Sequence, residues 1–217
     1  MNPLRHLLVM AKSPVPGQVK TRLCPPCSPE EAAEVAAAAL ADTLDAVAAC
    51  RADRKILALA GEPGPWLPPG FQLIPQRGVT LGQRLANAWT DADGPGIQIG
   101  MDTPQVRPEE LDALLTALEG PGRRAVLGLA DDGGWWVIGW RHPGLEPATV
   151  FDGIPMSTSQ TGALQGRRLR RLGCQVFAAG QHRDIDTAAD LTEVAGLAPN
   201  TRTAAVARRI GLAAQVV

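Results

Sequence analysis

Short apolar runs separated by stretches of helical spacing are the feature that most limits how this chain can fold. Leu7–Met10, Ile56–Ala60, Phe71–Ile74, Ile97–Gly100, Ala125–Ala130, Trp135–Trp140 and Val176–Ala178 have the length and residue types of buried strands. Between them lie helix signals. Ser28-Pro29-Glu30-Glu31 opens a helix that runs from Ala32 to Ala49: Ser28 is a cap, Pro29 suits the first turn, and Glu31 stands three residues past the cap. Leu81–Trp89 places Leu81, Leu85, Ala88 and Trp89 on one side, and Pro108 starts a helix through Leu118. Gly162–Leu172, Thr187–Ala195 and Thr203–Ile210 follow. Such alternation predicts an α/β fold: one Rossmann-like, three-layer domain over residues 1–217, with a mostly parallel sheet between helices. The turn sequence Asp131-Asp132-Gly133-Gly134 predicts a hairpin, which makes the sheet mixed. Ligands of open sheets collect beyond the carboxyl ends of the strands, where the loops at Lys12, Asp102 and Asp131 fall.

The 217 residues, 45% of them hydrophobic, are enough for one full core. A formal charge of -1 gives no general attraction to nucleic acid, so anion recognition has to be local, which points to a small phosphorylated ligand. No segment is long and apolar enough to span a bilayer and the first residues do not read as a signal peptide, so a cytoplasmic protein is expected. Cys50 and Cys174 are isolated. Cys24 and Cys27 form a CPPC that resembles a redox or zinc half-site; with no second pair to complete a metal site, it reads as a rigid loop, with a redox role as the alternative.

The stretch Leu7–Leu23, LLVMAKSPVPGQVKTRL, carries the strongest chemical signal. Its apolar run breaks at Pro14, Pro16 and Gly17 and then delivers Lys20, Thr21 and Arg22 together. Prolines stiffen the loop, Gly17 allows close approach or positive φ, and the cations can meet phosphate oxygens. It is not a Walker loop, since Val19 precedes Lys20, and no GxGxxG is present. The plain alternative is that Lys12, Lys20 and Arg22 are solvated surface charges.

Asp102 follows the run IQIG and is held extended by Pro104. A carboxylate so placed beside a phosphate loop suits a divalent ion, which takes one or two protein carboxylates plus phosphate and water. Capping of the next helix is the competing role, weakened because Pro108 comes several residues later. In RDIDT, Asp186 can cap the following helix or complete the metal site, and Asp184 is a further acid there; the sequence leaves these roles open. Asp131–Trp136, DDGGWW, has acids, glycines and aromatic faces suited to an acceptor hydroxyl, or it is a hairpin with one tryptophan in the core. Ser157, Thr158, Ser159 and Thr161 have no neighbouring histidine to activate them, and His6, His142 and His182 are scattered. Arg167, Arg168, Arg170 and Arg171 form a solvated face or a seat for an acidic partner.

With these residues in view, the chain resembles a bacterial family of GT-A-type glycosyltransferase-like proteins related to the 2-phospholactate guanylyltransferases. The matching pieces are MAKSPVPGQVKTRL, TLGQRLANAW, IGMDTPQ, LGLADDGGWWVIG, STSQTGA and DIDTAADL, from Met10 to Leu191. The chain departs from the family at Trp135-Trp136, where tyrosine is usual, and before Asp131, where proline is common. The resemblance implies a nucleotide-diphospho-sugar transferase fold. It implies Ala11, Lys12, Gly17, Lys20, Thr21 and Arg22 around the nucleotide's phosphates, and Leu81 and Gly82 near its base or ribose. Asp102 is then a metal carboxylate for Mg2+ or Mn2+, and Asp186 a second metal-side acid.

Two reactions are expected from this set. In glycosyl transfer, an acceptor hydroxyl oriented by Asp131 or Asp132 and seated on Gly133, Gly134 and Trp135 attacks the sugar carbon of a nucleotide sugar. In nucleotidyl transfer, a phosphorylated or carboxylated substrate attacks the α-phosphorus of a triphosphate, with Lys20 and Arg22 offsetting charge on pyrophosphate. The partners are a nucleotide or nucleotide-sugar donor and a small acceptor, with oligomeric state left open. A non-catalytic nucleotide-binding module is the third reading. The first two require Arg22 and Asp102 to face one cavity.

Overall fold

The computed structural model describes residues 4–141 and 144–213; His142 lies outside them. Seven strands form one sheet: β1 (His6–Lys12), β2 (Arg54–Ala60), β3 (Gln72–Pro75), β4 (Gly96–Ile99), β5 (Arg124–Leu129), β6 (Trp135–Arg141) and β7 (Gln175–Ala178). Their order is β3-β2-β1-β4-β6-β5-β7. Only β6 runs against its neighbours; it is antiparallel to both β4 and β5, while β1 pairs parallel with β2 and β4. The expected mixed, mostly parallel sheet is what forms, with the hairpin at Asp131–Gly134 supplying the reversed strand.

Helices cover both faces. They are α1 (Pro29–Ala49), α2 (Leu81–Ala92), α3 (Pro108–Ala117), α4 (Pro147–Phe151), α5 (Thr161–Arg171), α6 (Ala188–Leu197) and α7 (Arg202–Arg209). Alternate residues of β1 serve the two layers, because strand side chains alternate. Leu7, Val9 and Ala11 pack with Leu40 and Leu44 of α1 and Leu111 and Leu115 of α3. Leu8 packs with Leu85 and Trp89 of α2, Phe151 of α4 and Leu169 of α5. The outer side of α1 is covered in turn by α6 and α7, through Val35, Ala39, Leu191, Val194 and Ala204. That explains the alanine run: a helix packed on opposite sides has room for small side chains only.

Local chemistry sets the helix starts. Ser28 accepts from the Glu31 backbone N–H at 3.2 Å while the Glu31 carboxylate accepts from Ser28 N at 2.8 Å, the capping box expected from the sequence. Thr80 and Gln83 do the same for α2, and Thr187 and Asp190 for α6. One expectation fails. Leu81, read as part of the buried side of its helix, is 45% exposed, because as the first residue of α2 it precedes the turn that meets the sheet; Leu85, Ala88, Trp89 and Ala92 are the buried residues. The five-residue α4 was not legible, being too short to show a period.

At the amino end of β1, His6 is fully buried edge-on to Trp89, with ring centroids 4.8 Å apart. Burial, reinforced by the Arg54 charge, lowers its pKa to about 4, so it is neutral in the folded core. Among the described residues no helix is long and apolar enough to cross a membrane, and all four cysteines are free thiols.

Candidate active site

The order of strands reverses direction between β1 and β4, and the loops that follow these two strands meet there. After β1 the chain turns at Gly17, whose φ of 73° is in the left-handed region, and Lys12 Nζ donates to Gln18 O at 2.9 Å, closing the loop on itself. Lys20 is also left-handed, with φ 47° and ψ 34°, a rare setting for a long side chain. It precedes a short 3-10 turn, Thr21–Leu23, anchored by fully buried Leu23.

These bends aim the cations at acids from far along the chain. Lys20 Nζ lies 2.6 Å from Asp102 Oδ2 and 3.9 Å from Asp186 Oδ1, and it also donates to the Ile185 carbonyl. Arg22 NH1 donates to Asp186 Oδ2 at 3.1 Å. The Lys20 side chain is only 9% exposed, whereas that of Arg22 is 72% exposed at the rim. Asp102 does not cap the next helix, since Arg107 is at that position with no side-chain cap. Asp186 is likewise free of capping, because Thr187 takes that duty. The Ile185 N–H donates to Asp102 O at 3.2 Å, which fixes the late segment against the β4 loop.

Lys12, Lys20, Thr21, Arg22, Asp102 and Asp186 line one cavity of about 290 Å3, together with Gln18, Val19 and Met101. Arg22 and Asp102 therefore face one space, as the sequence reading required. Ala11 and Gly17 shape the loop without lining the cavity: buried Ala11 gives its carbonyl to Gln76 Nε2 at 2.7 Å. Leu81 and Gly82 lie elsewhere, at the start of α2, where a Cβ on Gly82 would touch Phe151 O and Met156 Cε at 3.5 and 3.7 Å. A larger cavity, about 530 Å3, opens at the opposite end of the central strands beside Trp89 and Trp140, away from the carboxyl ends of β1 and β4.

Asp184 is close enough to Asp102 and Lys20 to feel both charges. Burial first, then the Asp102 charge, raises its carboxyl to about 9 despite the opposing pull of Lys20, and Asp132 and Asp186 add to the rise. Three acids and one ammonium thus act on Asp184. Among the described residues no three His, Cys, Asp or Glu side chains stand ready-formed around a metal position. The donor chemistry nevertheless fits Mg2+ or Mn2+: two carboxylates and a carbonyl, all hard oxygens, already converge on one cation, the Lys20 ammonium.

The hairpin acids are engaged differently. Asp131 Oδ1 accepts from Gln181 Nε2 at 2.7 Å, and its Oδ2 is ion-paired with Arg183 NH2 at 2.8 Å. Asp132 Oδ1 accepts from Gly134 N at 2.7 Å, and Oδ2 has no hydrogen-bond partner among the described residues. Gly133 has φ 86°, and a Cβ there would run into the Ser159 backbone, so the hairpin tip needs glycine to seat on the loop before α5. Gly162 N donates to Gly133 O at 2.9 Å to hold that contact. Trp136 is the core tryptophan, donating to Gly180 O at 2.7 Å, while half-buried Trp135 lies 6.3 Å from the Phe151 ring centroid.

Arg183 was missed by the sequence reading. It binds Asp131, Asp190 at 2.9 Å and Glu193 at 3.2 Å, so it ties the hairpin to α6 across the DID segment. Its one sequence signal is an arginine followed at seven and ten residues by acids.

A family model described as "Uncharacterized protein conserved in bacteria (DUF2064)" matches residues 32–158. That stretch contains Leu81, Gly82, Asp102 and the hairpin, but neither the Lys12–Arg22 loop nor Asp186. Among solved structures the chain is similar to a protein of Desulfovibrio desulfuricans G20 named as a candidate nucleotide-diphospho-sugar transferase. The identity is 26% and the TM-score 0.84, over 97% of this chain and 99% of that one. In fold it is similar to CMP:2-keto-3-deoxy-manno-octonic acid synthetase solved with CTP, at 13% identity and TM-score 0.57 over 91% and 99% of the two chains. It is also similar to Rv0371c of Mycobacterium tuberculosis H37Rv solved with manganese, at 18% identity and TM-score 0.52 over 89% and 98%. Among curated proteins nothing matches the chain. The fold is that of the nucleotide-diphospho-sugar transferases, and the match over more than half its length makes this chain a member of the bacterial family DUF2064.

Proposed function

We propose that the protein is a divalent-cation-dependent transferase that takes a nucleotide-activated donor and moves its sugar to a small hydroxyl acceptor. The observation that carries this reading is the single cavity lined by Lys12, Lys20, Arg22, Asp102 and Asp186 at the sheet's switch point. Asp102 and Asp186 would hold Mg2+ or Mn2+, which when bound stabilises negative charge gathering on the donor's phosphates. The exposed guanidinium of Arg22 has donors to spare beyond Asp186 and meets the phosphates at the rim. Lys12, by closing the loop on Gln18 O, keeps the Lys20 and Arg22 backbone in place before the donor arrives. The start of α2 at Leu81 and Gly82 is assigned to the base or ribose, and Gly133, Gly134 and Trp135 to the acceptor.

Of the two hairpin acids, Asp132 is the better acceptor-orienting group. Its Oδ2 is available to a hydroxyl, whereas both oxygens of Asp131 are committed to Gln181 and Arg183. The likeness at 26% identity to a candidate nucleotide-diphospho-sugar transferase over nearly the full length of both chains supports sugar transfer.

Nucleotidyl transfer is the second reading, favoured by the position of Lys20 and Arg22 around two acids, an arrangement suited to a departing pyrophosphate. The experiment is a panel of nucleotide sugars and nucleoside triphosphates with and without Mg2+ or Mn2+, read by product analysis. Release of a nucleoside diphosphate supports the first reading and release of pyrophosphate the second. Nucleotide binding with no turnover of any donor would remove both.

A further inference from the structure

We infer that Lys20 is an internal cation that competes with the divalent metal for Asp102 and Asp186, so that metal entry releases its ammonium to the donor's phosphates. The inference rests on the reading of the cavity as a metal and nucleotide site. It assigns to Lys20 control over when the phosphate cradle becomes available.

The geometry is specific to Lys20 among the loop's cations. Its ammonium is 2.6 Å from Asp102 Oδ2 and 3.9 Å from Asp186 Oδ1, and it takes the Ile185 carbonyl as a further acceptor. Those are the oxygens a hard divalent ion would use. Lys12 is spent on Gln18 O, and Arg22 touches only the outer oxygen of Asp186. A lysine reaches a divalent-ion position as a compact point charge on a flexible stem, which lets it leave as a unit; a bidentate arginine would be bound more tightly. An ammonium and a divalent ion cannot share these oxygens, because like charges at such spacing repel strongly in a partly buried site.

Release then has a direction. The loop bends at Gly17, and Lys20, with its left-handed backbone, stands on the cavity wall beside Thr21 and Arg22. An ammonium displaced from the carboxylates stays within reach of the same cavity, where donor phosphates would replace them as its partners. Metal and donor therefore favour one another: the metal frees a phosphate ligand, and phosphates draw away the metal's competitor. Linkage requires the factor to be equal in both directions.

The chain contains three lysines, Lys12, Lys20 and Lys55, so acetylation by an amine-reactive ester can be followed at each by peptide mass. In the unaltered protein, Mn2+ alone should raise the labelling rate of Lys20 several-fold while Lys55, on β2, stays constant. Labelling of Lys20 that is unchanged or reduced by saturating Mn2+ overturns the inference. In parallel, Mn2+ binding followed by electron paramagnetic resonance should be about tenfold tighter or more in Lys20→Met than in the wild type, and weaker than wild type in Lys20→Arg. Folded Lys20→Met that binds Mn2+ no more tightly also overturns it. Asp102→Asn separates the two layers of the reading. If it abolishes Mn2+ binding while Lys20 labelling ignores the metal, the metal site stands and the competition fails; if the wild type binds no Mn2+, both fail.

Discussion

Two acidic clusters of this molecule each bring a pair of aspartates to a basic partner, yet the structure uses them in opposite ways. At the switch point Asp102 and Asp186 converge on one buried ammonium inside a cavity. At the β5–β6 hairpin Asp131 is consumed by Gln181 and Arg183, and Asp132 folds one oxygen back onto its own turn. The first arrangement leaves charge that a ligand can answer; the second spends charge on holding loops together. Residue type is the same in both. What differs is what the partners are: at the switch point they are cations that themselves line a cavity, at the hairpin they tie one loop to another.

The strongest way to break this contrast is Asp102→Asn. Loss of a group that positions metal and phosphate should lower turnover by about 10^3-fold, equivalent to about 4 kcal/mol of transition-state stabilisation. Thermal stability should change little, because the amide keeps the shape and can still meet Lys20. The check is donor turnover beside a melting curve, and a variant within tenfold of wild type would show that the switch-point acids are as structural as the hairpin ones.

The second prediction concerns the far end of β1, which supplies a reference for pH effects at the site. His6 has its pKa lowered to about 4 from an ordinary 6.5, so the unfolded chain binds a proton before the folded one does as pH falls. Stability is thus lost between pH 6.5 and 4, by about 3 kcal/mol in full. His6→Phe, which keeps a ring against Trp89, should lack this fall. Denaturant unfolding at pH 7 and 4 tests it: equal losses in variant and wild type would mean that the acidic loops, not the core, set acid sensitivity.

Much of the frame could be read directly from residues. Pro29, Glu31 and Ser28 announce the start of α1 because a capping box is local chemistry, complete within four positions. Leu7 through Met10 announce a strand buried on both faces because both alternating sets are apolar. The candidate site was legible only in pieces. Lys20 and Asp102 are 82 residues apart, and nothing in spacing brings them together; the strand order does, by laying β4 beside β1. The commitment of Asp131 to Arg183 was illegible for the same reason, since side-chain partners across 52 residues follow from packing rather than pattern. Asp186 was ambiguous until Thr187 could be seen capping α6, a choice between neighbours with equal propensity for the position.

A smaller effect separates the two loops by sign. Asp184 keeps its proton up to about pH 9 in the folded protein, whereas the unfolded carboxyl releases it near 3.8. The folded state therefore binds the extra proton throughout that window, and stability falls as pH rises, opposite to the His6 contribution. Asp184→Asn removes the carboxyl at similar shape, so its advantage over wild type should grow from pH 4 toward pH 9. Unfolding curves at pH 5 and 8 check it. A variant less stable than wild type at pH 8 would mean that the crowded acids at the switch point are satisfied rather than in conflict.

The smallest expected effect is the one that bears most directly on the hairpin. Asp131 and Arg183 are each about a third exposed, and exposed ion pairs contribute about 0–1 kcal/mol. Asp131→Asn retains an oxygen for Arg183 or Gln181, so turnover should fall by no more than about fivefold, the kinetic counterpart of that energy. Asp132→Asn, with the carboxylate oxygen that faces no protein partner changed to an amide, should cost more in kcat than in donor KM if it orients the acceptor. Steady-state kinetics on the two variants gives the comparison directly. If Asp131→Asn is the more damaging and its melting temperature is unchanged, the hairpin's engaged acid must leave Arg183 during turnover, and the division between charge spent on structure and charge kept for a ligand would no longer hold at this loop.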